Sequence, residues 1–405
     1  MKHSVPELVN AASERIERLH IGCFEGIDTP LFLISDAYPG IWLEHVYDSV
    51  FYAKMNPERL QLAVNTIMLF INNQKPDGQL PFNVMNTAKV KRANPFGYAQ
   101  IQECVSFAAL CLEVAEMKND IEFLRVVYEA SKKWENWIRT HRMTTNRGLV
   151  EMFVGYDTGH DNSGRLNGMA HHGNHVVDGK ELNAACLPDD DGVTPILAVD
   201  MSCNLYATDV AIAKMAKILG HYDEAQKYLE LAAEVKKKLF EHCYDPEDVF
   251  FYDVDRNGNK RKFLSSTILH LFLEKVLDPT EDALLISQIY EKHLKNPNEF
   301  WTNYPFPSMA LCDPSTVGHV DRNCWGYFTE GLIELRCTRW MDYYGFGEDF
   351  DYICRKWVEA WTEHYDTIKF GQELDPVTGI PSKCSEYYSS CMLFYIYAAK
   401  RLGLA

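Results

Sequence analysis

No apolar run in the 405 residues approaches the roughly 20 needed to cross a bilayer, so no membrane span is expected. The opening Met1-Lys2-His3-Ser4-Val5-Pro6-Glu7 has no apolar secretory core. Positive charge is in deficit: 40 Lys and Arg stand against 57 Asp and Glu, a formal charge of −17. Nucleic-acid binding rests on neutralising phosphates, and an anionic membrane surface asks for the same basic residues. The charge balance therefore argues against both partners, while a neutral ligand such as a sugar fits an acidic chain. The 12 cysteines include no C-x-x-C pair. There is no phosphate-cradling glycine loop and no G-x-S-x-G nucleophile elbow. Neither a Pro/Ser-rich linker nor a low-complexity tract divides the chain, so one domain over 1–405 is expected.

What is present is apolar and aromatic. Apolar residues make up 47% of the chain, with 22 Tyr, 21 Phe and 8 Trp, enough for a large core and for the walls of a cleft. Cys104, Cys111, Cys203, Cys337 and Cys391 fall on the apolar side of helical patterns, where a reduced thiol packs as a small hydrophobe. Free buried thiols point to a reducing compartment, and a soluble, cytoplasmic protein is expected.

Apolar residues recur at three- and four-residue spacing in twelve segments, approximately 7–20, 42–54, 57–73, 97–118, 122–143, 200–219, 222–242, 263–276, 280–294, 322–343, 348–366 and 385–402. Gly220 stands where a helix-ending glycine belongs. Twelve helices with short links inside pairs predict an all-α fold of six helical hairpins, the (α/α)6 toroid; a linear solenoid of helical pairs is the competing layout, but no repeat of fixed period is visible. Two long connections, about 144–199 and 295–321, break the rhythm, and loops of that length are usually functional. Both are expected at one mouth of the toroid, shaping a pocket.

The first of them carries Gly155-Tyr156-Asp157-Thr158-Gly159-His160-Asp161-Asn162-Ser163-Gly164-Arg165. These residue types suit a tight polar turn, and they equally suit a loop that presents an acid to a ligand. In this loop Asp157 would raise the Asp161 pKa by like charge and Arg165 would lower it. Other motifs follow in order: Tyr47-Asp48-Ser49 near the start of a helix, then Gln74-Lys75-Pro76-Asp77-Gly78-Gln79-Leu80-Pro81. After the Asp161 loop come Tyr304-Pro305-Phe306-Pro307-Ser308, Arg322-Asn323-Cys324-Trp325, and Gln372-Glu373-Leu374-Asp375-Pro376-Val377-Thr378-Gly379.

This ordered series, spread over roughly residues 36–399, resembles glycoside hydrolase family 63 and its trehalase-like relatives, particularly the short single-domain mannosylglycerate hydrolases. Three departures stand out. Tyr47 replaces the Trp of a W-D-S motif, the Arg322 motif is one residue shorter than R-G-x-x-W, and Gln372 occupies the place of the family's Glu with Glu373 one residue late. The resemblance implies an inverting hydrolase of a small soluble α-glycoside, a glucoside or mannoside, working with two carboxyls and no cofactor or metal. One carboxyl protonates the leaving oxygen and the other deprotonates water. It maps the acid to Asp161 and the base to Glu373, with Glu386 as the second choice. Trp42, Tyr47 and Trp325 are candidates to stack on the sugar or to pack in the core. Asp48, Gln74 and Gln102 are candidates for its hydroxyls or for caps and buried bridges, and Asp157 and Arg165, beside the acid, are further substrate-binding candidates. Arg322 would hold a substrate carboxylate or neutralise Asp321.

Two further readings stay open: a sugar 2-epimerase on the same toroid, using His45, His160 or His319, and a sugar-binding protein that kept the pocket and lost the base. His171, His172, His175 and Asp178 lack the helix spacing of a metal site and suit a solvated loop, as does the charge run Asp189-Asp190-Asp191. Asp253-Val254-Asp255-Arg256-Asn257-Gly258 imitates a calcium loop, but Leu264 stands at its twelfth position, so a hairpin turn after Phe250-Phe251-Tyr252 is expected. The sequence is silent on oligomeric state.

Overall fold

A computed structural model describes residues 2–91, 94–170, 176–177, 180–181, 192–316 and 325–405. Twelve α-helices lie among them: α1 (Val5–Leu19), α2 (Val46–Met55), α3 (Leu60–Ile71), α4 (Phe107–Lys118), α5 (Ile121–His141), α6 (Val199–Ile218), α7 (Tyr222–Lys238), α8 (His270–Leu273), α9 (Ala283–Ile289), α10 (Gly331–Cys337), α11 (Gly347–His364) and α12 (Ser389–Arg401). Each falls within or against one of the twelve periodic segments.

Two kinds of helix alternate. A surface helix buries one stripe, as α1 does with Leu8, Val9, Ala12 and Ile16, whereas a helix apolar on most sides must be covered all round. α2 buries every residue from Val46 to Ala53, and α6 and α12 bury most of theirs. Contacts follow this division. α2 packs on α4, α4 on α6 and α6 on α8; α10 packs on α12, and α12 returns to α2. The striped helices lie outside this run: α3 against α2, α5 and α7 against α6, and α1 and α11 against α12.

The link from α6 to α7 shows how sequence ends a helix. Gly220, at φ +82°, donates its N–H to Lys217 O, and His221 N–H reaches Ala216 O at 2.8 Å. This is a Schellman turn, in which a left-handed residue lets two terminal carbonyls find donors.

Strands supplement the all-α expectation. Gly40–Trp42, Asn83–Met85 and Phe96–Gly97 form a three-stranded antiparallel sheet; Glu151–Met152, Ile196–Leu197, Asp253–Val254 and Lys260–Arg261 form a four-stranded one. They occupy stretches that lead into helices. Residues 97–106, whose periodicity predicted a helix, form an irregular non-helical segment until Ser106 accepts the Ala109 N–H and starts α4. The 253–258 segment is a hairpin turn, with Asp255 accepting from Asn257 and Asn259 N–H groups. All ten described cysteines are free, and Cys104, Cys111, Cys203, Cys337 and Cys391 are buried. No described helix is long and apolar enough to cross a membrane.

Candidate active site

A cavity of about 280 Å3 opens where several of the buried helices begin. Tyr38, Trp42 and Glu44 enter it from the strand and turn before α2, Gln100 and Gln102 from the segment before α4, and Tyr156 and Asp161 from the long connection before α6. Trp325 enters from the segment before α10, and Gln372 and Tyr388 from that before α12. Aromatic faces interleaved with amides and carboxyls are the mixture a sugar ring asks for, apolar on its faces and hydroxylated at its edge.

Asp161 keeps part of its surface toward this cavity, and its buried Oδ1 accepts no hydrogen bond. Burial first, then the charge of Glu44, holds its pKa well above the usual carboxylate range. The neighbour that matters electrostatically is thus Glu44, which the motif series did not single out, rather than Asp157. Glu44 is buried, and its Oε2 accepts from Cys104 Sγ at 3.3 Å while Oε1 lies 3.3 Å from His45 Nδ1. Burial raises it to about 7, against the lowering charge of Arg336. The only sequence signal for Glu44 was its place four residues ahead of Asp48, which by itself carries no chemistry.

The Asp161 loop is built around Asp157. That carboxylate accepts the N–H groups of Ile101, Phe153 and Val154 and a two-pronged contact from Arg142, at 2.6 and 3.1 Å. Its own carbonyl accepts from Gln102 N–H. Asp157 therefore joins the two segments that carry Gln102 and Asp161, and does not face the cavity. Arg165 is likewise internal, paired with Asp200 and Asp253. Gly159 sits at φ +76°, and a β-carbon there would lie 2.5 Å from Glu44 Oε2 and 2.7 Å from Cys104 Sγ. Gly159→Ala is expected to cost at least about 1 kcal/mol through the left-handed backbone alone and to displace Glu44. Urea unfolding of the variant measures the cost.

Two residues of the cavity wall hold a strained backbone. Gln102 has φ +52° and Trp325 φ +66°, both in the left-handed region that non-glycine residues rarely adopt. Gln102 accepts from Gln100 Nε2 at 2.8 Å. Trp325 lies against His160 with ring centroids 4.2 Å apart. Such outliers cluster at ligand sites, where surrounding structure holds them.

Other expected residues lie elsewhere. Tyr47 points to the far side of α2, bonded to Thr338 at 2.7 Å. Gln74 bridges the carbonyls of Gly78 and Ala130 and lines a separate surface groove. Asp48 is buried, accepting from Ser389 and Ser390, with its pKa raised to about 6 by burial. Glu386 is exposed near the Lys369 N–H. Glu373 is fully buried, and neither of its oxygens has a hydrogen-bond partner. It stands directly opposite Glu330 in an antiparallel pair, and since consecutive extended residues face opposite sides and Gln372 takes the cavity side, Glu373 turns away from the cavity. Gln372 accepts from Tyr38 OH at 2.9 Å. Burial and the Glu373 carboxyl hold Glu330 well above the usual carboxylate range. The one-residue offset of the last motif is thus a real change of facing. The two long connections do touch: Ser163 Oγ lies 3.1 Å from Met309 Sδ.

Arg322, His171, His172, His175, Asp178, His319 and Asp189-Asp190-Asp191 lie outside the described residues. His45 and His160 are buried behind the wall, bonded to Tyr388 OH and stacked on Trp325 respectively, and burial keeps both well below the usual histidine range. One group among the described residues brings metal-ligating atoms within 4.8 Å of one another, His160, Asp200 and His270. Asp200 is already held by Arg165, and burial, then the charges of Arg336 and Arg165, lowers the pKa of His270, so the surroundings are ill suited to a metal cation.

Residues 44–315 match the domain described as mannosylglycerate hydrolase MGH1-like glycoside hydrolase. Among solved structures, a glycoside hydrolase family 63 mannosylglycerate hydrolase from Thermus thermophilus, in complex with glucose, superposes with a TM-score of 0.73 at 17% identity, covering 96% of this chain and 99% of that one. Neutral trehalase from Saccharomyces cerevisiae superposes with a TM-score of 0.70 at 12% identity, covering 97% of this chain and 80% of that one. Among curated proteins, an uncharacterized protein from Borreliella burgdorferi is 30% identical over 103 residues, 25% of this chain and 21% of that protein's length.

Proposed function

We propose, from the premise that the chain belongs to the mannosylglycerate hydrolase MGH1-like glycoside hydrolase family, that it hydrolyses a small soluble α-glycoside with inversion, Asp161 protonating the leaving oxygen. The observation that carries the reading is Asp161 itself: a carboxyl open to an aromatic-walled cavity, with a free oxygen and a pKa held well above the ordinary range. A general acid must hold its proton at working pH, and burial beside a second carboxyl is the way to keep it. In this reading the helices close as an (α/α)6 toroid in one domain, with α2, α4, α6, α8, α10 and α12 inside. A relative named for hydrolysing mannosylglycerate supports a glucoside or mannoside of small size, and a cavity of about 280 Å3 suits that better than a polymer. NMR with α-glucosides and α-mannosides, trehalose and glycosyl-glycerates included, is the test: prompt release of the β-anomer is expected, and release of the α-anomer would refute inversion.

For the base we assign Glu44, the other carboxyl that faces the cavity among the described residues. A base poised near neutrality is efficient. Glu44 must be ionised to act, so hydrolysis is expected to rise as pH climbs through about 7 and to fall again as Asp161 loses its proton. Glu44→Gln should lower kcat by at least about 10²-fold and flatten the acidic limb, whereas Glu373→Gln should cost less than about tenfold. The reverse ranking would return the base to Glu373. One observation favours a second reading, a sugar-binding protein: Gln372 presents an amide, not a carboxylate, to the cavity. It predicts ligand binding without turnover in the same NMR panel.

A further inference from the structure

At the opposite ends of the same helices lies a second cleft, of about 390 Å3. Lys54 reaches it from the last turn of α2, Glu113 from α4, Lys275 from just past α8, and Arg339 from just past α10. In a chain of charge −17, its lining gathers three cations around one carboxylate. Glu113 is shared: it accepts from Arg339 Nη1 at 2.7 Å and pairs with Lys54 Nζ at 2.5 Å. Lys275 has no ion pair among the described residues, and its Nζ lies 4.5 Å from the centre of the Tyr343 ring. Burial, then the charge of Arg339, lowers its pKa. Arg339 Nε is buried without an acceptor.

Lys54 has an ordinary reason to be where it is, since a cation answers the carbonyl end of α2. Lys275 follows a helix of only four residues, whose carbonyl end is a weak reason for a cation, and its own backbone works against it. α8 ends in a Schellman turn, Lys275 N–H to Phe272 O at 3.0 Å and Val276 N–H to Leu271 O at 2.9 Å. Lys275 itself stands at φ +56°, the left-handed position that glycine usually fills. A side chain there strains the backbone, so the chain keeps a lysine in the cleft where a glycine would fold more easily. Strain of this kind points from structure to function.

We propose that this cleft binds the phosphate group of a small phosphorylated molecule, held by Lys275 together with Arg339 and Lys54. Three cations against the one carboxylate of the lining leave the cleft an excess of positive charge, with the Glu274 carboxyl behind it raised to about 7 by burial, and a doubly charged phosphate matches that excess better than a single carboxylate. The volume leaves room for the rest of a small molecule. The cleft shares no lining residue with the catalytic cavity, and the site stands independently of the hydrolase reading.

Calorimetric titration of the full chain with inorganic phosphate and with glycerol 3-phosphate, at constant ionic strength, tests it. Saturable binding at one site is expected, tighter for the ester. Lys275→Gly, which removes the cation and relieves the strained turn, should keep or raise the thermal midpoint yet weaken binding at least tenfold. Lys275→Asn, which also tolerates the left-handed turn, should behave the same way. Absence of saturable binding, unchanged affinity in both variants, or equal binding of acetate would overturn the proposal.

Discussion

Asp161→Asn is expected to lower kcat/KM by about 10²–10⁴-fold, roughly 3–5 kcal/mol of barrier, while leaving the protein folded. The asparagine keeps the shape of the side chain and removes the proton that the leaving oxygen needs. The variant should also lose the alkaline limb of the pH–rate profile, because that limb reports the Asp161 proton. A second readout separates chemistry from folding. Burial and Glu44 raise the folded-state pKa of Asp161, so the native state binds this proton more tightly than the unfolded chain. Its contribution to stability is fully present below the unfolded pKa, shrinks as pH rises above it, and is gone once pH has passed the folded one. At neutral pH the wild type bears that loss and Asp161→Asn does not, so the variant should unfold at a urea concentration equal to or higher than wild type. An inactive variant that is also less stable at neutral pH would show that Asp161 is held for structure.

How far the sequence announced this site follows from what each residue does. The twelve helices were legible because burial imposes a 3.6-residue period that does not depend on partners. Asp161 was legible because its loop concentrates turn-forming and acidic residues, and Trp42, Gln102 and Trp325 were legible as candidates the family resemblance offered for the sugar; all four line the cavity. Glu44 was not, since nothing about its local neighbours shows that Gly159 and Cys104 fold against it. Tyr47 shows the converse error. It lies next to Asp48 in the motif, but neighbours on a helix point about 100° apart, and Tyr47 lines the opposite cleft. The Gln372–Glu373 offset was visible as one residue in a motif, and only strand pairing converts one residue into the opposite face. Likewise the helix start at Ser106, nine residues beyond the expected bound, is decided by a cap whose competing non-helical path is held from afar by Asp157.

That distant hold gives the second large expected effect. Asp157→Ala should destabilise the protein by about 3–5 kcal/mol, the range for removing one partner of a buried ion pair. Arg142 is buried and loses the only carboxylate it is bonded to among the described residues, while the N–H groups of Ile101, Phe153 and Val154 lose their acceptor. Orphaned donors inside a protein cost about 1–3 kcal/mol each when no water replaces the partner, so partial wetting must accompany the change to keep the total in this range. Asp157→Asn retains the shape but offers one acceptor oxygen and no charge, and should fall between the variant and wild type. The two segments that Asp157 joins carry Gln102 and Asp161, so activity should fall even under conditions where Asp157→Ala remains folded. The pH–rate profile distinguishes this from loss of the acid: the remaining activity of Asp157→Ala should keep its alkaline limb, because Asp161 is still present, whereas Asp161→Asn loses it. Urea denaturation of the three proteins side by side, with the pH profile of each, measures both parts. If Asp157→Ala unfolds at the wild-type urea concentration, the carboxylate is not what holds the two segments together, and the strain at Gln102 must be maintained by its side-chain bonds to Glu44 and Gln100 instead.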